Sequence, residues 1–221
     1  MNRQIVATKD GTYTIYLLDC NESYHSKHGA LQEAHHVFIK NGLDNFFLNT
    51  SVNILEIGFG TGLNALATYF YKNKNQKIFY TAIEAFPVLE EEWKKLNYFN
   101  FFDDKDLAKD IFYHLHTSNW QVKEKISEDF YITKLNMYFE DINFENTYDI
   151  IYFDAFGYRV QPELWSEKIF KIMYKALKQN GILVTYACRS TIILAMKDAR
   201  FTTKKLPGAP GKREMLCAIK T

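Results

Sequence analysis

Two periodicities alternate along the chain: short β-rich runs, and segments in which apolar residues recur every three or four positions. Ile5–Ala7 and Tyr13–Leu18, joined at Asp10-Gly11, predict a hairpin, because Asp-Gly tolerates the positive φ of a tight turn. Ala30, Ala34, Val37 and Phe38 share one face of a helix over about 29–40. Val52–Ile57 (VNILEI) predicts a strand, Leu63–Tyr71 a helix, and Lys77–Glu84 (KIFYTAIE) a second strand. Pro87 is read as opening a helix, at the first-turn position that proline favours. The aromatic-rich stretch 97–134 reads as a helical insertion, and Leu135–Glu140 as the third strand. Tyr148–Asp154 (YDIIYFD) is apolar almost throughout, as a strand covered on both faces must be. Pro162–Leu177 predicts a helix, Gly181–Ala187 (GILVTYA) a fifth strand, and Thr191–Ala199 a helix. Phe201–Leu206 and Glu214–Ile219 are the final strands; the loop between them is too short for a crossover helix, so they pair antiparallel.

Strands alternating with helices define an α/β fold with a doubly wound, mainly parallel sheet, here with an antiparallel last strand. That is the usual shape of class I S-adenosylmethionine methyltransferases. Residues 1–50 form an N-terminal hairpin and helix extension, and 51–221 a Rossmann-like unit carrying the insertion near 97–134.

Composition narrows the class. With 221 residues, 47% hydrophobic and 24% charged, the chain can bury one real core and is not disordered. It has no apolar run of about 18 residues, so no membrane helix is expected. The first 30 residues do not read as a signal peptide. Cys20, Cys188 and Cys217 are odd in number with no C-x-x-C spacing, which fits a reducing, cytoplasmic setting. The net charge of +1 excludes a wholly basic nucleic-acid coat. It conceals a contrast: 197–221 carries seven basic and two acidic residues, and 84–110 eight acidic and four basic. Either stretch alone reads as a solvated face.

The candidate chemistry begins at Gly58-Phe59-Gly60-Thr61-Gly62, between a strand and a helix. A dinucleotide fingerprint needs G-x-G-x-x-G, but its third slot falls on Leu63. No G-K-[ST] follows, which excludes a phosphate-binding P-loop. A glycine turn by itself fits simple packing of helix on strand equally well. Glu84 tips the balance, because an acid closing the second strand can hold two ribose hydroxyls of an adenosine cofactor. Asp141 follows the predicted third strand, where an adenine amino group could be met, although acids there also cap turns. Asp154 ends an apolar strand at the carboxyl edge of the sheet, where ligands bind and an idle carboxylate is costly. His25, His28, His35 and His36 lack the further ligands of a zinc site, so no metal is expected. No G-x-S-x-G occurs, and neither Cys20 nor Cys188 carries a nucleophile signature.

With these residues placed, the sequence resembles the methyltransferases of tRNA 5-methylaminomethyl-2-thiouridine synthesis, the MnmC and MnmD family. The resemblance rests on LEIGFGTGLN (Leu55–Asn64), IEAFP (Ile83–Pro87), EDIN (Glu140–Asn143), DIIYFDAF with PELW (Asp149–Trp165) and PGAPGKREML (Pro207–Leu216). Tyr24-His25-Ser26 and Gly29–Phe38, with Glu33, also resemble the family's opening. It implies methyl transfer from S-adenosylmethionine to the primary amine of 5-aminomethyl-2-thiouridine at the wobble position, with the tRNA anticodon arm as partner. It implies that Gly58, Phe59, Gly60, Gly62 and Asn64 line the cofactor, Glu84 holds its ribose and Asp141 faces its adenine. Asp154 would stand beside both the methyl and the amine, as the catalytic residue. Tyr24 and Glu33 would close the substrate pocket, and Lys212 and Arg213 would grip the RNA backbone. The bifunctional members add a flavin-dependent oxidase, which a chain of 221 residues is not expected to hold.

The sequence departs from the family at Ser190–Leu194, where a glycine and two basic residues are common, and at Arg200, where glycine is common. Arg189 and Arg200 are candidates to supply the missing charge. Two other readings stay open. One is an enzyme acting on small amines, or an aminopropyltransferase-like enzyme built around the same strand-four acid. The other is a non-catalytic RNA-binding module, against which the intact Gly58, Gly60, Gly62, Glu84 and Asp154 argue.

Overall fold

A computed structural model describes residues 2–221. The chain opens with a small antiparallel sheet of β1 (Arg3–Ala7), β2 (Tyr13–Leu17) and β3 (Glu22–Ser23). The predicted turn is there: Gly11 lies at φ +85, and the Asp10 carboxylate ties down Thr8 and Thr12. The helix expected over 29–40 starts as α1 (Ala30–Ala34) and widens into a π-turn over His35–Lys40.

The main sheet then unfolds in alternation. Its members are β4 (Ser51–Ile57), α2 (Leu63–Tyr71), β5 (Lys77–Ile83), α3 (Glu90–Trp93) and α4 (Lys105–Thr117). These are followed by the pair β6 (Lys123–Ser127) and β7 (Phe130–Leu135), then β8 (Tyr148–Phe153) and α5 (Glu167–Ala176). The chain closes with β9 (Leu177–Thr185), α6 (Ser190–Asp198), β10 (Thr202–Pro207) and β11 (Glu214–Ile219). The strand order is β10-β11-β9-β8-β4-β5-β7-β6. The inner strands β9, β8, β4, β5 and β7 are parallel; β11 runs antiparallel to both β9 and β10.

Period-two alternation sorts the sheet into two cores. Val52, Ile54, Ile78, Tyr80, Ile150, Tyr152 and Val184 face α2 and α4. Leu55, Ile57, Ile83, Ile151, Phe153 and Leu183 face α5 and α6. Ile15, Leu17, Ala34, Val37 and Phe38 of the N-terminal extension belong to the first core, so the extension is packed onto the sheet rather than set apart from it.

Four expectations are corrected. The stretch 97–134 is helical only in its first part; its second part is the β6–β7 hairpin, and β7 is the third parallel strand. The reason is Lys134. Its place in the strand buries it, which no alternation rule anticipates, and its Nζ donates to the carbonyls of Leu115 and His116 at 2.7 and 2.8 Å. A lysine thus caps the end of α4, where a cation complements the helix dipole. The strand expected at Leu135–Glu140 therefore ends at Leu135, and Phe139–Asp141 is a 3-10 turn. Pro87 lies before α3 rather than in its first turn. Pro162 opens a separate 3-10 turn over Pro162–Trp165, which extended Ser166 divides from α5.

Candidate active site

Parallel register brings the site together. Ile57 of β4 is level with Ile83 of β5 and Phe153 of β8. The next residues, Gly58, Glu84 and Asp154, therefore emerge side by side at the carboxyl edge. Gly58 lies at φ +91, and a Cβ there would stand 2.9 Å from the Asp154 carbonyl oxygen. Only glycine allows both that conformation and that approach. Gly60 and Gly62 also have positive φ, and Gly62 leads into α2.

Over this edge opens a cavity of about 830 Å³. Gly58, Phe59, Gly60, Asn64, Glu84 and Asp154 form its floor. Arg3, Ser23, Tyr24 and His25 cover it from the N-terminal extension; Phe86 and Tyr138 flank one side, and Phe156, Gln161 and Tyr186 the other. Glu84 accepts from the Gly60 and Phe86 amides at 3.0 and 2.9 Å, which anchors the glycine loop to the end of β5. Asn64 donates to Asp154 Oδ2 at 2.8 Å and to Glu56 Oε1 at 2.9 Å. Its own Oδ1 is buried without a partner, an acceptor left free at the cavity floor.

The electrostatics follow from enclosure. Burial pushes Asp154 up to about 7, with Glu33 adding to the rise and Asn64 and Lys212 opposing it. Burial also raises the fully buried Glu56 well above the usual carboxyl range. A carboxyl poised near neutrality in a cleft is what proton transfer at ordinary pH requires.

The sequence reading missed the supports of the glycine loop. His25 Nε2 bonds Thr61 Oγ1 at 2.6 Å, Tyr98 donates to the same oxygen at 3.2 Å, and His116 Nε2 meets the Thr61 carbonyl at 3.1 Å. The His116 ring stacks on Trp93 at 4.5 Å. Burial pulls His25 down to about 4 and His116 to about 3, so both rings are neutral. His116 sits in α4, far from any motif, and no sequence signal marked it.

Other expected site residues scatter. Asp141 is exposed and off the cavity wall, which Tyr138, Phe139 and Glu140 line instead. Its distance follows from the early end of β7. Glu33 is buried behind the wall, accepting from the Ser26 amide at 3.0 Å. Lys212 does not reach outward to an RNA backbone; it turns in to pair with Glu33, its Nζ 3.9 Å from the Tyr186 ring centre. Arg213 is exposed. Arg189 lies 5.2 Å over the Tyr158 ring, and exposed Arg200 has φ +75, a conformation suited to glycine. Among the described residues no His, Cys, Asp and Glu cluster could hold a metal. Nor is any helix long and apolar enough to cross a membrane.

A glycine turn, a strand-end acid and a roomy cleft at the edge of a sheet of this order make a site for a nucleoside-containing cofactor. The chain belongs to the S-adenosyl-L-methionine-dependent methyltransferase family, which residues 105–221 match. Its cofactor is S-adenosylmethionine. An uncharacterized protein of Methanocaldococcus jannaschii is 28% identical over 98% of this chain and 59% of its own length. The tRNA 5-methylaminomethyl-2-thiouridine biosynthesis bifunctional protein MnmC of Burkholderia mallei is 28% identical over 96% of this chain and 34% of its own. The chain thus spans little more than half of one relative and a third of the other. Among solved structures, MnmC2 of Aquifex aeolicus aligns over 100% of this chain and 70% of its own, with TM-score 0.80 and 20% identity. Spermidine synthase of Thermotoga maritima aligns over 100% and 74%, with TM-score 0.56 and 15% identity. The α/β class I methyltransferase fold expected from the strand pattern is therefore the observed one.

Proposed function

We propose that this chain methylates the primary amine of 5-aminomethyl-(2-thio)uridine at the tRNA wobble position. The observation that carries this reading is Asp154: a carboxyl held near neutrality at the strand edge, beside the glycine loop and under an aromatic roof. The name of the MnmC relative and the full-length overlay on MnmC2 support tRNA as the substrate class.

The cavity fits the cofactor, since the glycine loop leaves room at the floor, Glu84 ends β5 and Asn64 Oδ1 is a free acceptor. In this reading Gly58, Phe59, Gly60, Gly62 and Asn64 cradle it, and Glu84 holds the ribose hydroxyls. The adenine would lie against the edge-on pair Phe86 and Tyr138, whose ring centres are 6.0 Å apart, rather than be met by Asp141. When bound, S-adenosylmethionine supplies an electrophilic methyl on sulfur. The protein must deliver a neutral amine to it. Taking a proton from an alkylammonium near 10.4 to an ordinary carboxyl would be uphill by ~9 kcal/mol. To a carboxyl at about 7 the cost falls to ~5 kcal/mol, about half. Asp154 also orients the amine by hydrogen bonding, while Asn64 fixes the Asp154 carboxyl. Tyr24, edge-on to Phe156 at 4.9 Å, walls the amine side. Phosphate contacts fall to the basic carboxyl-terminal segment, with Arg213 and Arg200 its exposed candidates, and to Arg189 just before it.

The test is mass spectrometry of wobble nucleosides from a deletion strain. Accumulation of the aminomethyl form is the expected result; an unchanged profile refutes the proposal. Purified protein should methylate bulk tRNA from the deletion strain, which carries the aminomethyl form, and leave small diamines untouched. The reverse preference would assign it to small-amine chemistry.

A further inference from the structure

The Glu33–Lys212 pair lies behind the Asp154 wall, where neither residue can fill the pocket-closing or RNA-gripping role that the resemblance implies for it. Glu33 is 8% exposed, an uncommon place for a carboxylate unless it is paired. It sits in α1, and its Oε2 accepts from the Ser26 amide, next to the roof residue His25. Lys212 comes from the opposite end of the sequence, in the loop between β10 and β11, and packs its ammonium on the Tyr186 ring at 3.9 Å. Tyr186 in turn donates to the carbonyl of Ala155 at 2.9 Å, the residue after Asp154. One pair therefore ties the N-terminal strap and the C-terminal loop to the backbone beside the reacting carboxyl.

We propose that Glu33 and Lys212 are positioning residues that set the proton affinity of Asp154, acting as an opposed pair of charges behind the site rather than as substrate or RNA contacts. The inference rests on the reading of Asp154 as proton acceptor. The groups that face Asp154 are few. Asn64 from α2 donates to it, Glu56 from β4 lies across Asn64, Glu33 and Lys212 act from α1 and the 207–213 loop, and Tyr186 borders it after β9. Glu56, raised by burial, stays protonated and contributes little field at ordinary pH. Glu84 and Arg3 also line the cavity, but the two charges that bear on Asp154 from behind its wall are Glu33, which disfavours the Asp154 anion, and Lys212, which favours it.

Opposite charges make opposite predictions. Lys212→Met removes the cation and leaves Glu33 unopposed, so the acid limb of the kcat profile should move to higher pH by roughly half a unit. Glu33→Gln should move it to lower pH by roughly as much. The double variant should return towards wild type, and Lys212→Arg should keep the wild-type limb. A merely structural pair would lower activity and melting temperature in both single variants without moving the limbs apart. Limbs that move the same way in folded protein, or that stay still together with the Asp154 carboxyl signal, overturn the proposal. Carbon-13 NMR titration of the Asp154 carboxyl reads the same shifts without turnover. Opposed NMR shifts with static kinetic limbs would uphold the pair and refute Asp154 as the proton acceptor. Static NMR shifts would refute the pair alone.

Discussion

On the floor of the cavity, Gly58, Glu84 and Asp154 follow directly from three strands in one parallel register; over it, Tyr24 and His25 follow strand β3 of the small N-terminal sheet, which side chains tie to the main sheet. The floor is fixed by main-chain hydrogen bonds, such as Gly58 and Phe59 donating to the Ile83 carbonyl and Asp154 to that of Ile57. The roof has its own main-chain ladder, but it is joined to the rest of the molecule by single contacts between distant residues: His25 to Thr61, Arg3 to Glu92, Glu33 to Lys212. A register cannot slip without turning every side chain over. A side-chain tie can break alone, at about 1 kcal/mol each. The floor is thus suited to holding a cofactor always in one place, and the roof to admitting a bulky substrate.

The comparison can be broken at its strongest point first. Asp154→Ala should lower single-turnover methyl transfer by at least ~10²-fold, the usual worth of a positioned base. Near wild-type turnover in folded protein would remove the catalytic role. Gly58→Ala should cost roughly 2 kcal/mol of stability, from a strained φ and a backbone clash. It should also weaken S-adenosylmethionine binding in calorimetry; an unchanged melt and affinity would mean that the floor yields as easily as the roof.

Acid tests the two histidines that brace the glycine loop, His25 from the roof and His116 from α4. The unfolded chain takes protons on its histidines from about 6.5 downward, whereas folded His25 and His116 wait until about 4 and about 3. Their stabilising contribution is full above 6.5 and is lost as pH falls towards those values. Asp154 and Glu56 act in the other direction. Folded, they hold protons that the unfolded chain has released, so their contribution is lost as pH rises, through about 7 for Asp154. The two sets offset each other between pH 4 and 6.5. His116→Gln should unmask the carboxyls: its melting temperature relative to wild type should rise as pH falls from 6.5 to 5. A flat difference would show that His116 is not held neutral.

The smallest effects lie outside the cavity. Arg200→Gly relieves a left-handed residue worth about 1–2 kcal/mol, partly offset by glycine's chain entropy. Melting should rise by a few degrees or less while tRNA affinity falls. Arg213→Ala should weaken tRNA binding a few-fold and reduce its salt slope by about one. Unchanged affinity in both variants would move RNA docking to another face.

Much of the floor was legible because its signals are local. VNILEI followed by three spaced glycines forces strand, tight turn and helix, and KIFYTAIE and YDIIYFD can only be buried strands. Their parallel pairing then brings Glu84 and Asp154 beside Gly58. Asp141 went astray because β7 was read five residues late. Its inward Lys134 breaks the apolar alternation, and only the end of α4, folded against it, supplies the carbonyls that satisfy the ammonium.

The sequence by itself determined the alternation of strands and helices on either side of the 97–134 stretch, the glycine turn, and the two acids at strand ends. Each depends on residues a few positions apart, where backbone sterics and side-chain period decide. Only the tertiary structure decided that Lys212 turns inward to Glu33, that His25 and His116 brace Thr61 from opposite sides, and that Asp154 holds its proton to about 7. Those outcomes depend on which distant side chains share a space closed to water, and charge, hydrogen bonding and proton affinity are set there by the neighbours that folding brings.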